Sequence, residues 1–305
     1  MITYNPTAVA RDPDTEVLID ADCVGYWGAA GCDTQALASA THRIDVRMNQ
    51  ILDECQAGKY TGYLTGKGNF RDAIATLRRY KGNRYDAFGN RIKEQPEWLK
   101  ECREYLIQEW DCILEEGQEA DDALGIHRSR YPEDSHRVII SSIDKDLKIN
   151  PGLHHNMNTG EIEQCNGFGE IKLKKGKVHG YGLKFFYAQM IMGDNADHIR
   201  GLPKVTEGMK EVWPKMRRGG AGDMTAYRVL ENCKDELQAH GLVWYCYQDY
   251  WTQNSYTHWN DKNKVYPKGL TTARKQFIEQ GRLLWMRRKE NELWEPRYPL
   301  LKMEI

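Results

Sequence analysis

Residues 137–146 read RVIISSIDKD, a β-branched run from Val138 to Ile140 that ends in two serines and then in Asp144 and Asp146. Branched side chains pack well on a pleated, buried surface, so the run predicts a strand; its abrupt end in acids predicts charge where that strand leaves the core. The pattern recurs upstream. EVLID, residues 16–20, is an apolar run that stops at Asp20, and TGYLTG, residues 61–66, is a further strand candidate. Between them and RVIISSIDKD, a helix opened by Pro96 carries Leu99, Cys102, Leu106, Trp110 and Ile113 at three- and four-residue steps and is expected to close at Gly117. Strands alternating with helices predict an α/β fold with a mostly parallel sheet. Ligands of such sheets bind beyond the carboxyl ends of the strands, where Asp20, Asp144 and Asp146 fall. EADDALGIHRSR, residues 119–130, reads as a helix beginning near Glu119, with Glu119 and Asp122 on one face.

A chain of 305 residues holds one large domain or two modest ones. From about residue 180 the pattern changes to short helices joined by Gly-rich turns, which predicts a separate helical part. Residues 250–275, which include YTHWNDKNKVYPKG, are expected to form a long loop, His154 and His155 a surface loop, and the Trp-rich C-terminal helix core and docking contacts. No run of about 18 apolar residues and no signal-peptide pattern occurs, so a soluble, cytoplasmic protein without a membrane partner is expected. The 8 cysteines form no C-x-x-C pair and are expected to be reduced and packed. Net charge is only -1, yet the charge is segregated. Lys67, Arg71, Arg78, Arg79, Lys81, Arg84, Arg91 and Lys93 face only Asp72 and Asp86 in their stretch. IKLKKGKVHGYGLK, residues 171–184, is a second basic stretch, and Lys204 to Arg218 holds a third.

The acids gather as Asp20, then Glu119, Asp121 and Asp122, then Asp144 and Asp146, then Asp194 and Asp197. Singly, each has a structural reading as a helix start or turn. Brought together, they could not all ionise without a cation. Oxygen-only ligands favour Mg2+ or Mn2+ over zinc, and two such ions about 4 Å apart can activate water against a phosphodiester. Phe70 and Tyr80 interleave with the first basic run, which suits bases stacked beside phosphate contacts.

VLIDAD (17–22), GNFR (68–71) with RRYKGNR (78–84), EADD (119–122), ISSIDKDL (140–147) and MGDNADHIRGLP (192–203) together resemble the 5′-nuclease family: flap endonucleases, the 5′-nuclease domain of bacterial DNA polymerase I and phage 5′-to-3′ exonucleases. GRLLWMRRKENELWEPR, residues 281–297, resembles the tail of the podovirus exonucleases. The resemblance implies a PIN-like metal-dependent nuclease core over residues 1–170 and a helical DNA-binding part with a helix-hairpin-helix over 171–305. It implies that Asp20, Glu119, Asp121 and Asp122 hold the catalytic ion, and that Asp144, Asp146, Asp194 and Asp197 serve a second ion or its waters. Lys81 and Arg84 would act catalytically on the scissile phosphate; Arg71, Arg79, Tyr80, Gly201 and Lys204 would bind DNA, with Tyr80 stacked on a base and K+ at the hairpin. The implied partners are DNA 5′ ends, flaps and duplex, RNA/DNA hybrid and replication proteins, met by a monomer in an infected bacterial cell. Two departures stand out. Where many relatives carry an acid after the second strand, this chain has Thr65, Gly66 and Lys67, and Lys204-Val205-Thr206 replaces the G-I-G-like turn of the hairpin. The first favours an alternative, a structure-specific DNA-binding protein that keeps the nuclease fold without its activity. A phosphotransferase using Asp20 and Asp22 leaves EADD and the basic run unexplained.

Overall fold

The computed structural model describes residues 10–303; most of the polar N-terminal tail lies outside them. In chain order the elements are β1 (Asp12–Asp20), α1 (Ala21–Ala29), α2 (Leu37–Glu54), β2 (Ala57–Thr65), α3 (Phe70–Ile74), α4 (Leu99–Glu109), β3 (Ile113–Glu115), α5 (Ala120–Arg128), β4 (Val138–Ser142), β5 (Gly152–Asn156) and β6 (Ile162–Cys165). Then follow β7 (Glu170–Lys174), β8 (Lys177–Tyr181), α6 (Gly182–Met192), α7 (Glu207–Val212), α8 (Asp223–Leu230), α9 (Glu236–Trp251), β9 (Tyr256–His258), β10 (Asp261–Tyr266) and α10 (Leu270–Leu284). These divide into two compact units. One takes the chain up to Asn69, Lys93–Asn166 and Met286–Glu292; the other takes Phe70–Ile92, Gly167–Trp285 and the chain from Leu293.

The first unit is a six-stranded sheet in the order β3-β2-β1-β4-β5-β6, parallel except for β6. β1 is central because it can be buried on both faces. Its Val17 and Ile19 join Val24, Ile44, Met48, Ile51 and Leu106 of the helices on one side, while Leu18 joins Ala123, Leu124, Val138 and Ile140 on the other. An apolar run without polar alternation is what a parallel strand covered by helices on both faces requires. Each such side chain contributes about 1.5–3 kcal/mol when fully buried. This arrangement is the mixed α/β, PIN-like sheet expected from the sequence.

Three local expectations are corrected. The helix after Pro96 stops at Glu109, and Ile113 begins the edge strand β3, because its spacing reads equally well as an isolated strand residue after the turn at Asp111, where φ is +48°. His154 and His155 lie in β5 rather than a surface loop, with only 4% and 1% exposed. His154 bonds the Asn150 carbonyl at 2.7 Å, and His155 bonds Ser141 at 2.8 Å and Glu54 at 2.9 Å, so polar partners let two imidazoles replace apolar strand residues. In the second unit, residues 250–275 form the end of α9, the β9–β10 hairpin and the start of α10. Stacked Tyr256 and Tyr266, with ring centroids 4.5 Å apart, give this polar segment its anchor. All 8 cysteines are free thiols.

Candidate active site

Asp20 is the last residue of β1 and the N-cap of α1. Its carboxylate accepts from the Cys23 amide (3.2 Å), the Cys23 thiol (2.9 Å) and the Ser142 hydroxyl (2.7 Å), none of them a cation. Burial pushes its carboxyl above the usual range, aided by nearby Asp22 and opposed by the bonds from Cys23 and Ser142. The Cys23 thiol is pushed far up by burial, with Asp20 and then Asp121 adding negative charge, so it remains protonated.

Ser142 ties the two central strand ends together. While donating to Asp20, its hydroxyl accepts from the Asp144 amide at 2.9 Å, and Asp144 Oδ1 accepts from the Asp146 amide at 2.8 Å. Lys145 Nζ lies 2.8 Å from Oδ1 of Asp146, which is buried. The IDKD segment is therefore a turn, and that turn is what lines up its acids at the carboxyl edge of the sheet. Glu119 and Asp122 form a capping box at the start of α5. Asp122, fully buried, also accepts from the Arg287 amide at 3.2 Å. The structural reading of Glu119 and Asp122 as helix-start residues therefore holds in the fold.

Among the described residues, no three His, Cys, Asp or Glu side chains converge into a ready-made metal cage. In the sheet unit the acids stand as a chain of Asp20, Asp144 and Asp146 joined by Ser142, and as the Glu119–Asp122 pair. The donor chemistry nevertheless fits a hard divalent ion. All these donors are oxygens, and a cation beside buried Asp20 would offset the cost of its charge.

The missing acid after β2 has a steric basis. A Cβ on Gly66 would sit 2.4 Å from the Glu115 carbonyl oxygen, since the Gly66 amide bonds that same oxygen at 2.6 Å. Thr65 instead uses its hydroxyl to accept from the Ala120 amide at 3.0 Å, and its own amide donates to Asp22 at 2.9 Å. Arg103, from α4, completes this corner by bonding both the Asp22 carboxylate and the Thr65 carbonyl. Sequence reasoning missed Arg103, because no local signal marks a pairing across 81 positions. Ser142 had a visible signal, a hydroxyl at a strand end two positions before an acid.

Asp194 and Asp197 belong to the second unit. Asp194, buried, closes the turn after α6 by accepting from the Ala196 amide at 2.6 Å and the Asp197 amide at 3.3 Å. Asp197 gathers the basic segment: it accepts from the Tyr80 hydroxyl at 2.8 Å and from Arg84 at 3.2 Å, with Lys81 Nζ at 3.6 Å. Arg79 lies over the Tyr85 ring at 4.5 Å, and Lys204 is exposed. Three expected DNA contacts are covered here. Arg71 is completely buried, and its guanidinium binds the Leu283 and Trp285 carbonyls at 3.0 and 2.7 Å, where the C-terminal end of α10 favours a cation. The Tyr80 ring is 4% exposed, because its hydroxyl is drawn inward to Asp197. The Gly201 amide, expected to face a phosphate or K+, donates to Gln280 at 3.0 Å.

A mostly parallel sheet whose central strands end in acids, flanked by helices, defines a PIN-like α/β protein. The fold is similar to that of the 5′-exonuclease of phage T5, solved with bound zinc ions, at a TM-score of 0.52 and 16% identity over 88% of this chain and 89% of that one. Over 141 residues the sequence is 30% identical to a protein named 5′-3′ exonuclease from Buchnera aphidicola subsp. Schizaphis graminum (strain Sg); the match spans 46% of this chain and 46% of that relative, less than half of its length. No family profile matches the chain. The fold is thus similar to that of the T5 5′-exonuclease, and just under half of the sequence is similar to a protein named 5′-3′ exonuclease.

Proposed function

We propose that the protein is a divalent-metal-dependent 5′-nuclease that hydrolyses phosphodiester bonds of DNA as a 5′-3′ exonuclease and flap endonuclease. The observation that carries this reading is Asp20: a buried carboxylate at the end of the central strand, bonded through Ser142 to the turn of Asp144 and Asp146, with no cation among its partners in the described residues. Asp20, Glu119, Asp121 and Asp122 would hold Mg2+ or Mn2+, and Asp144 and Asp146 a second ion or its waters, with Asp194 and Asp197 assigned to the same task by family resemblance. The ions, when bound, supply activation of a water and stabilisation of the leaving oxygen. Lys81 and Arg84 offset negative charge that develops on the scissile phosphate, and Ser142 orients Asp20. On this reading residues 1–170 hold the chemistry and 171–305 grip DNA, with the basic segment 70–92 grouped with the second part. Removal of flaps and RNA primers in phage replication, by a monomer assisted by replication proteins, is the setting in which such an activity would serve.

The steric block at Gly66 and the absence of a closed carboxylate cage among the described residues favour a second reading, a DNA-binding protein without activity. A 5′-labelled flap duplex separates the two. With Mg2+ or Mn2+ the proposed enzyme releases short 5′ fragments, EDTA stops it, and Asp146→Asn cripples it. Tight binding without cleavage in either metal would establish the second reading.

A further inference from the structure

The second basic stretch of the sequence folds into an antiparallel hairpin, β7–β8, that is separate from the main sheet and packs on α6 and α8 of its own unit. Side chains alternate across a strand, so its two faces differ completely. One face, with Ile171, Leu173 and Val178, is covered. The other presents Lys172 and Lys174 from β7 and Lys177 and His179 from β8, and Lys175 adds a charge at the turn, where φ is +50° at Lys175 and +77° at Gly176. The register sets Lys172 opposite His179 and Lys174 opposite Lys177. Like charges directly opposite destabilise a two-stranded ribbon. Only modest internal compensation exists: Lys172 pairs with its strand neighbour Glu170, and Lys177 pairs with Asp223 at 3.1 Å, while Lys174 and Lys175 have no ion pair among the described residues. Lys172 and Lys177 remain 62% and 67% exposed in their side chains even so.

We propose that this lysine face is a docking surface for the sugar–phosphate backbone of duplex DNA. The proposal rests on the nuclease reading for its substrate and adds the element that grips it. Two lysines at i and i+2 stand roughly 7 Å apart along a strand and about 5 Å from the opposite strand, a dense block of positive charge. Duplex DNA offers a charge about every 1.7 Å of axis, which satisfies several such cations at once. Single strands are held by aromatic rings interleaved with the cations. Here the one tyrosine of the face, Tyr181, is only half-exposed and sits at the end away from the turn, beside Glu170, which favours duplex.

The test is the salt dependence of binding, measured by fluorescence anisotropy on a long duplex bearing a 5′ flap, with EDTA present so that nothing is cut. The variant Lys172→Gln/Lys174→Gln/Lys177→Gln is compared with the wild type, and Lys174→Glu/Lys175→Glu serves as a second variant that leaves the Lys177–Asp223 pair intact. Each lost phosphate contact lowers the slope of log affinity against log salt by about 0.9, so the triple variant should flatten it by roughly 2.7 and weaken binding at least tenfold at low salt. The melting temperature should hold or rise, because like-charge repulsion is relieved. The charge-reversal variant should weaken binding further, and single-strand binding should change less than duplex binding. An unchanged slope in both folded variants overturns the hairpin assignment even when the wild type cuts the flap. A protein that never cuts but shows the slope change refutes the catalytic reading and leaves the hairpin's role standing.

Discussion

Asp20 and Asp197 are the same residue type in opposite electrical states. Asp20, in the sheet unit, is fixed by a hydroxyl, a thiol and an amide, and burial lifts its carboxyl above the usual range. Asp197, in the helical unit, is met by Lys81, Arg84 and the Tyr80 hydroxyl. A charge on Asp20 is therefore one that burial opposes and that no neighbouring cation among the described residues balances, whereas Asp197 spends its charge organising a basic segment. A count of acids in the sequence treats the two alike; only their neighbours separate a carboxylate met by a hydroxyl, a thiol and an amide from one met by two basic side chains.

Substitution should break this likeness most sharply. Asp20→Asn should cut flap cleavage by roughly 10²–10³-fold or more, because a bound metal supplies several kcal/mol of transition-state stabilisation and each ~1.4 kcal/mol is a factor of ten. Its thermal stability should be unchanged or higher, since a carboxyl whose ionisation burial opposes is replaced by a neutral amide of the same shape. Asp197→Asn should cost less cleavage than Asp20→Asn and should act on the fold as well, loosening segment 80–84 to hydrogen exchange and lowering stability by about 1 kcal/mol or less, given that Arg84 is 43% exposed. Equal losses of cleavage and of stability in both variants would contradict the contrast.

The two units also share a feature that pH reveals. Burial, the dominant cause in each, lowers His154 in the sheet unit to about 4 and His240 in the helical unit to about 4, from an ordinary value of 6.5. A base whose folded value is depressed stays neutral while the unfolded chain takes up a proton. Stability is therefore complete above pH 6.5 and is lost as the pH falls from 6.5 towards 4, by on the order of 3 kcal/mol for a fully buried histidine. Urea unfolding of wild type and His154→Gln at pH 7.5 and pH 5 checks this. The variant should lose less stability between the two, and parallel pH profiles would refute the assignment.

The main strands and the acids at their ends were legible because burial on both faces imposes unbroken apolar runs, and such runs can end only where charge is allowed. Glu119 and Asp122 were legible for a related reason: a helix start and an acidic site ask for the same residues at the same spacing. What stayed hidden depends on the third dimension. Arg71 sits in a basic run yet is buried against the carbonyls of α10, more than two hundred positions away. His154 and His155 look polar in sequence but have buried hydrogen-bond partners in the sheet. Residues 256–269 lack alternation, and their hairpin depends on tertiary contacts of aromatic rings.

The smallest expected effect concerns the corner where the acid is missing. Gly66 has no room for a side chain against the β3 backbone, so a carboxylate there would have to displace a strand. The chain instead places Arg103 across Asp22 and the Thr65 carbonyl, holding the end of β2 with a cation. Arg103 and Asp22 are 26% and 30% exposed in their side chains, so solvent screens the pair and its coupling should be near 1 kcal/mol. In a double-mutant cycle, Arg103→Met and Asp22→Asn should each destabilise, and the double variant should be more stable than their sum implies. Asp22 loses its counter-charge in Arg103→Met, so that variant should also bind Mn2+ more tightly, measured by calorimetry without substrate. Additive stabilities together with unchanged Mn2+ affinity would mean that Arg103 neither holds this corner nor withholds Asp22 from a metal.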